Sequence, residues 1–316
     1  MTIKNEKIEK LIGIAKAYYE DDKTQSEIAE IFGVSRPLIS RLLKEAKELG
    51  IVKIEVRSPR ERTNALCDAL HRTFRIHGGK IVPTGANINI TNTAMAEAAI
   101  DMVKILQPDH LGIGWGTIIG ILASQMDSRP PVPGLAKTIC PLIGNSGVSN
   151  RNYHSNEIVR IFAQQSAAKA LYWHAPAFVE SASEAQQLME LDNYAAILTA
   201  WKELDTAIVN IGNYPSVPDL ATRARYQDKL AEHHAVGRIL SYYFDIKGEI
   251  IHSDNDFTLQ IPLDILKQCR NIVGLCAGNV TPNALAGALR SGMITHIIAS
   301  DELADETLKL VEASSF

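Results

Sequence analysis

Arg36, Ser40, Arg41, Lys44 and Lys47 recur in this 316-residue chain at the spacing of one helical face, with the arginines nearer its start and the lysines further along. An arginine fork can grip O6 and N7 of guanine, and a lysine neutralises phosphate, so such a face suits nucleic acid. Thr24, Gln25, Ser35 and Pro37 stand at the helix starts around it and complete the candidate DNA-facing set. On charge alone, a solvated helix face is an equal reading. A second chemistry is written in glycines. Gly114-Trp115-Gly116-Thr117, Gly144-Asn145-Ser146-Gly147, Gly212-Asn213 and Gly278-Asn279 each follow a short apolar run. Small residues after a strand let backbone amides approach a ligand closely. Four such junctions at matching sites point to a pocket for a polar small molecule.

Other chemistries are missing. Gly112, Gly114 and Gly116 are spaced GxGxG, and the dinucleotide pattern GxGxxG fails at Thr117. Neither a phosphate-cradling Walker loop nor an HExxH zinc motif occurs, and Gly144 to Gly147 is not the GxSxG of a serine hydrolase. Cys67, Cys140, Cys269 and Cys276 are scattered without a CxxC pair, which reads as buried thiols rather than a metal site or disulfide framework. His154 and the pair His233-His234 are the candidate general bases, although a lone histidine is more often structural. Trp173, Trp201 and Tyr242-Tyr243-Phe244 read as core or interface packing rather than sugar-stacking platforms. The expectation is no cofactor, no metal and no enzyme.

The elements that would position these groups fall into two parts. Residues 1–60 carry a net charge of +2 and the remainder −6, with the cationic excess tightest between Ser35 and Arg60. Ile8, Leu11, Ile12, Ala15, Tyr18 and Tyr19 predict an amphipathic first helix. Thr24-Gln25-Ser26-Glu27 reads as a capping box opening a short second helix with Ile28, Ile31 and Phe32 as its apolar edge. Gly33 suits a sharp turn, Val34 plugs the gap between helices, and Ser35 caps a third helix with Pro37 in its first turn. Ile39, Leu42, Leu43 and Ala46 form its buried stripe. Together these predict a helix-turn-helix, and the alternation over Gly50 to Arg57 predicts a strand beside it as a wing.

Ser58 to Arg62 reads as a hinge, which places the domains at 1–57 and 58–316. From Asn64 onward, helical stretches alternate with β-branched runs at Lys80–Pro83, Leu111–Trp115, Lys137–Ile143, Thr206–Ile211, Asn271–Cys276 and Ile294–Ala299. That alternation predicts a Rossmann-like α/β domain with a parallel sheet covered on both faces. The longest uncharged apolar stretch, Leu111 to Met126, is 16 residues long and contains four glycines, too short and broken for a membrane span. No secretory signal is expected, so a cytoplasmic protein is.

The chain resembles the SorC family of sugar-binding bacterial transcriptional regulators over nearly its whole length. The resemblance rests on Ala17-Tyr18-Tyr19, Thr24 to Ala29, Ser35 to Leu43, Gly112 to Thr117, Ala235-Val236-Gly237, Tyr243 to Gly248 and Gly287-Ala288-Leu289. It implies a helix-turn-helix joined to an effector domain like sugar-phosphate isomerase and deaminase folds. Operator DNA and a sugar-type effector are the implied partners, and a homo-oligomer, usually a tetramer, the implied assembly. An isomerase-like enzyme with an accessory DNA-binding head is the alternative. Two positions depart from the family: Thr281 stands where members that bind phosphorylated effectors commonly carry lysine, and Arg238 where many carry aspartate. Arg238 then either grips an anionic effector or pairs with a local acid such as Asp245.

Overall fold

A computed structural model describes residues 2–52, 59–216 and 222–313 and divides the chain into two compact units, Met1–Ser58 and Pro59–Phe316. The first unit holds α1 (Thr2–Tyr19), α2 (Gln25–Ile31) and α3 (Arg36–Glu48). Ile14 and Ala17 of α1 meet Ile28, Ala29, Ile39 and Leu43, while Leu11 and Ala15 meet Ala46. Because α1 touches two helices, its buried face is wider than the expected stripe. It takes in Ile14 and Ala17 and leaves Ile8 and Tyr19 exposed. Ile31, expected on the apolar edge, is 61% exposed. The buried face of α2 centres on Ile28, Ala29 and Phe32, and Ile31 lies about a third of a turn away from that centre.

The capping box forms: the Glu27 amide donates to Thr24 Oγ1 at 3.3 Å, and the Thr24 amide donates to Glu27 Oε2 at 2.8 Å. Gly33 turns the chain at φ +61°, and Val34 packs half-buried against the helices. Ser35 occupies the N-cap of α3, but its hydroxyl makes no capping bond, which corrects its expected role. From Lys53 on, the expected wing lies outside the described residues.

In the second unit, α4 (Pro59–Phe74), β1 (Gly78–Val82), α5 (Ile88–Leu106), β2 (His110–Ile113), α6 (Thr117–Asp127), β3 (Thr138–Pro141), α7 (Ser155–Ser166) and β4 (Lys169–Ala170) alternate. Next come α8 (Ala182–Met189), α9 (Asp192–Lys202) and β5 (Thr206–Asn213). Two short helices, α10 (Thr222–Tyr226) and α11 (Lys229–Glu232), lead to a hairpin of β6 (Gly237–Ile239) and β7 (Tyr242–Phe244). The chain ends through α12 (Leu263–Gln268), β8 (Asn271–Cys276), α13 (Pro282–Arg290), β9 (His296–Ser300) and α14 (Asp301–Ala313). Pro59–Arg62, expected as a hinge, is the first turn of α4, where a missing proline N–H does no harm.

The sheet order is β1-β9-β8-β5-β2-β3-β4, every neighbouring pair parallel, with the hairpin laid antiparallel along the end of β5. From β1 the chain steps through β2 and β3 to β4 in one direction, then returns through β5 and β8 to β9 in the other. Parallel crossovers are right-handed, so this reversal puts α5, α6 and α7 on one face and α13 and α14, with α4, on the other. The reversal falls between the adjacent strands β2 and β5. Such a switch point leaves a crevice outside the carboxyl ends of the two strands, because their following connections diverge to opposite faces.

Trp173, Trp201, Tyr243 and Phe244 are buried, as packing residues should be, whereas Tyr242 is half-buried; the Trp201 indole donates to the Pro141 carbonyl at 2.8 Å. A buried arginine unforeseen in the sequence, Arg225, donates through Nη1 to Asp256 at 2.9 Å and to Ser241 at 2.7 Å, pinning the hairpin turn. Cys140, Cys269 and Cys276 are buried and Cys67 is half-buried, a partial departure from four buried thiols. Among the described residues no helix is long and apolar enough to cross a membrane, and no cluster of acids, histidines and cysteines could hold a metal.

Candidate functional site

A cavity of about 290 Å³ opens at the switch point. Thr117, at the start of α6 after β2, forms one wall; Asn210, Gly212 and Asn213 from the end of β5 form another; Arg238 of β6 and Asn279 after β8 close it. The divergence of chain direction that makes the crevice thus also gathers polar side chains from four separate strand ends. Arg238 is 3% exposed and sits opposite Gly212 in the β5–β6 ladder. Its Nη1 donates to the Leu240 carbonyl at 2.9 Å. The pairing with Asp245 does not form: Asp245 Oδ1 instead accepts the amides of Lys247 and Glu249, each at 2.9 Å.

Of the sequence-derived pocket residues, Thr117, Gly212, Asn213, Arg238 and Asn279 come together. Asn213 has a second duty. Its Nδ2 donates to the Asn279 carbonyl at 2.8 Å and its Oδ1 accepts the Thr281 amide at 2.9 Å, so it staples β5 to the β8–α13 loop. Thr281 does not line the cavity; its hydroxyl caps α13 by accepting the Ala284 amide at 3.3 Å. Gly278 donates its amide to Asn92 at 2.7 Å, behind the wall.

Gly114, Trp115 and Gly116 support the wall from beneath. Trp115 is buried edge-on to Tyr153, and Gly116, at φ +120°, leaves just enough room for Asn210, whose Nδ2 would stand 2.7 Å from an added Cβ. The Gly144–Gly147 junction leaves the pocket altogether. Asn145 donates to the Trp173 carbonyl and accepts the Asn156 amide, both at 3.2 Å, Ser146 accepts the Val148 amide at 3.3 Å, and Gly144 presses on the backbone of Ala175 and Pro176. Gly147 lies in open space. These groups follow β3, one strand beyond the switch point, and their polar atoms are spent on neighbouring loops.

Sequence reasoning missed Asn210, Tyr153 and Ser216 as cavity residues. Asn210 carried a signal: it is the polar residue inside the apolar run Ala207 to Ile211 of a strand buried on both faces. None of the candidate bases lines the cavity. His154 Nε2 donates to the Val148 carbonyl at 2.9 Å, and His233 and His234 are exposed elsewhere.

In the first unit, Arg36, Ser40, Arg41, Lys44 and Lys47 are all exposed on α3, opposite the buried Ile39, Leu43 and Ala46. Lys44 pairs loosely with Glu48 at 3.8 Å, and Lys47 lies 5.7 Å over the Tyr19 ring. Gln25 opens α2, with Thr24 before it, and Arg36 and Pro37 open α3, the two helix starts sharing one groove.

Comparison with known proteins agrees with this architecture. Residues 58–309 match the family described as "Putative sugar-binding domain". Over 310 residues the chain is 29% identical to the sorbitol operon regulator of Klebsiella pneumoniae, spanning 95% of this chain and 97% of that one. The crystal structure of that regulator, SorC, matches with a TM-score of 0.70 at 27% identity, covering 95% of this chain and 98% of that one. The chain belongs to the SorC family. A further likeness is to the deoxyribonucleoside regulator of Bacillus subtilis strain 168, 28% identical over 305 residues, 94% of this chain and 96% of that one. Residues 17–62, which contain the helix-turn-helix, match the MarR family. The expected fold class, a helix-turn-helix followed by a parallel-sheet sugar-binding domain, is borne out, and SorC-family membership makes the chain a transcriptional regulator.

Proposed function

We propose that this SorC-family regulator binds operator DNA through α3 and releases or tightens it when a sugar-type effector enters the cavity between β2 and β5. The observation that carries this reading is the cavity: a buried cation, amides and hydroxyls converge at the switch point, and none of the candidate catalytic bases reaches it. A pocket so lined suits a hydroxylated ligand, and in this reading the protein acts as a receptor and not as an isomerase. In this reading Arg36, Ser40 and Arg41 face base edges, Lys44 and Lys47 face phosphates, and Thr24, Gln25, Ser35 and Pro37 orient the two helix starts on the DNA backbone. One recognition helix spans too few base pairs to single out a site in a genome, so the working form is a symmetric oligomer, at least a dimer, with a tetramer the assembly of the implied family type. Its place of work is the cytoplasm, where the DNA is. The test is a fluorescence-anisotropy titration of a labelled upstream DNA fragment with the full chain, repeated across sugars, polyols and their acids and phosphates. Sequence-selective binding shifted by one ligand class supports the reading; selective binding that no ligand moves, with turnover of a sugar phosphate instead, favours the isomerase alternative.

A further inference from the structure

The Arg238 guanidinium is the one cation lining the cavity among the described residues, and no described carboxylate pairs with it. Nη1 is its only nitrogen bonded to a described residue, and Nε is a buried donor without a partner. A buried guanidinium left in this state is unfavourable, since a charge withdrawn from water needs a counter-charge and filled donor positions. Among the described residues nothing else in the cavity wall supplies a counter-charge: the polar side chains around it are the neutral Thr117, Tyr153, Asn210, Asn213, Ser216 and Asn279. The residue is also held in place. It lies flat across Gly212, whose missing side chain leaves its Cγ and Nε 3.5 and 3.6 Å from where a Cβ would stand. The engaged Nη1 faces the hairpin turn, and the Nε–Nη2 edge is the side of the fork that offers two parallel N–H donors.

We propose that this edge receives the carboxylate of a sugar acid, the remaining hydroxyls of the ligand being held by Thr117, Asn210 and Asn279. This deepens the effector reading above and rests on it. A carboxylate matches the guanidinium edge fork to fork and carries one negative charge against one positive charge. A phosphate dianion leaves a net charge in the cavity, and a neutral polyol leaves Arg238 uncompensated. A cavity of about 290 Å³ is at the small end for ligand pockets, which fits a single short acid of roughly five or six carbons.

The test is isothermal titration calorimetry on the full chain with gluconate, galactonate, galacturonate, gluconamide, sorbitol and sorbitol 6-phosphate. At least one of the acids binds, and its neutral counterpart binds about 10- to 100-fold more weakly, the range expected of a charge-assisted pair. The comparison of gluconate with gluconamide keeps shape and removes charge, so it needs no variant. Arg238→Gln weakens the acid by a similar factor and Arg238→Lys, which keeps the charge without the fork, by less. Equal binding of acid and amide, or an Arg238→Gln protein that holds the acid as tightly as the parent, overturns the proposal. Binding of sorbitol or sorbitol 6-phosphate with no acid bound, lost on Gly212→Leu, overturns the carboxylate while keeping the cavity as the effector site. Binding of none of the six overturns both.

Discussion

Arg238 and Gly212 face each other across the β5–β6 ladder, and the arginine side chain occupies the space above the glycine. A methyl group at Gly212 would stand in ordinary contact with Arg238, 3.5 Å from its Cγ, so Gly212→Ala should keep the unfolding free energy measured in urea within about 1 kcal/mol of the parent. A leucine there would reach into the cavity. Gly212→Leu should therefore remain folded by circular dichroism and lose the thermal upshift that a bound effector gives.

The DNA-facing helix makes a prediction that separates its two kinds of cation. Arg36→Ala or Arg41→Ala should cost about 1–3 kcal/mol of operator binding and relax base preference. Lys44→Ala should weaken operator and unrelated DNA alike and lower the salt slope of binding by about one. Gel-shift titrations at several salt concentrations read both. An unchanged operator preference in the arginine variants would refute their assignment to base edges.

The capping box should respond to pH. The amide and hydroxyl of Thr24 both donate to the Glu27 carboxylate and hold its pKa below the ordinary value. A folded-state pKa below the unfolded one stabilises α2 fully above the unfolded value of about 4.3 and loses that contribution as pH falls through the folded value. Hydrogen-exchange protection of the α2 amides, corrected for intrinsic rates, should fall on acidification in the parent and change less in Glu27→Gln, which keeps an acceptor but does not titrate.

Thiol chemistry should distinguish one cysteine from the other three. Burial pushes Cys140 and Cys269 up to about 12, and Cys276 higher still, so none of them forms thiolate at neutral pH. Cys67 is half-buried and raised by burial and by Asp68. At pH 8 a disulfide reagent should titrate Cys67 alone, slowly, and all four thiols after guanidinium unfolding.

Local signals in the sequence were strong enough to specify the helix-turn-helix and most of the parallel strands. The capping box, the Gly33 turn and the run Asn271 to Cys276 act over a few residues and survive in any tertiary setting. Harder to see were elements whose reason is tertiary. The two-residue strand β4 exists only because the β3 edge accepts it, and the β6–β7 hairpin because β5 extends beyond its parallel neighbours. The pocket was half visible for the same cause. Gly144 to Gly147 and Gly212-Asn213 look alike as sequence, yet only the second stands at the switch point, and strand order is a property no local pattern carries. Arg238 stood out in the sequence, but the sequence did not show that Asp245 Oδ1 would accept the amides of Lys247 and Glu249 instead of pairing with it.

The pairing of β1 with β9, in register from Gly78 opposite His296 to Val82 opposite Ser300, has a consequence for synthesis on the ribosome. Among the described residues the earliest strand of the sugar-binding domain has one neighbour in the sheet, and that neighbour is close to the last segment translated. Until it emerges, β1 has no ladder to join, and β8 presents an open, apolar margin to solvent. The helix-turn-helix closes its own small core from nearby residues and can mature while translation continues, whereas the sheet waits for a contact more than two hundred residues long. A nascent chain arrested before His296 would thus carry a finished DNA-binding head on an unfinished receptor, a species that chaperones must shield and proteases can remove before it occupies an operator unregulated.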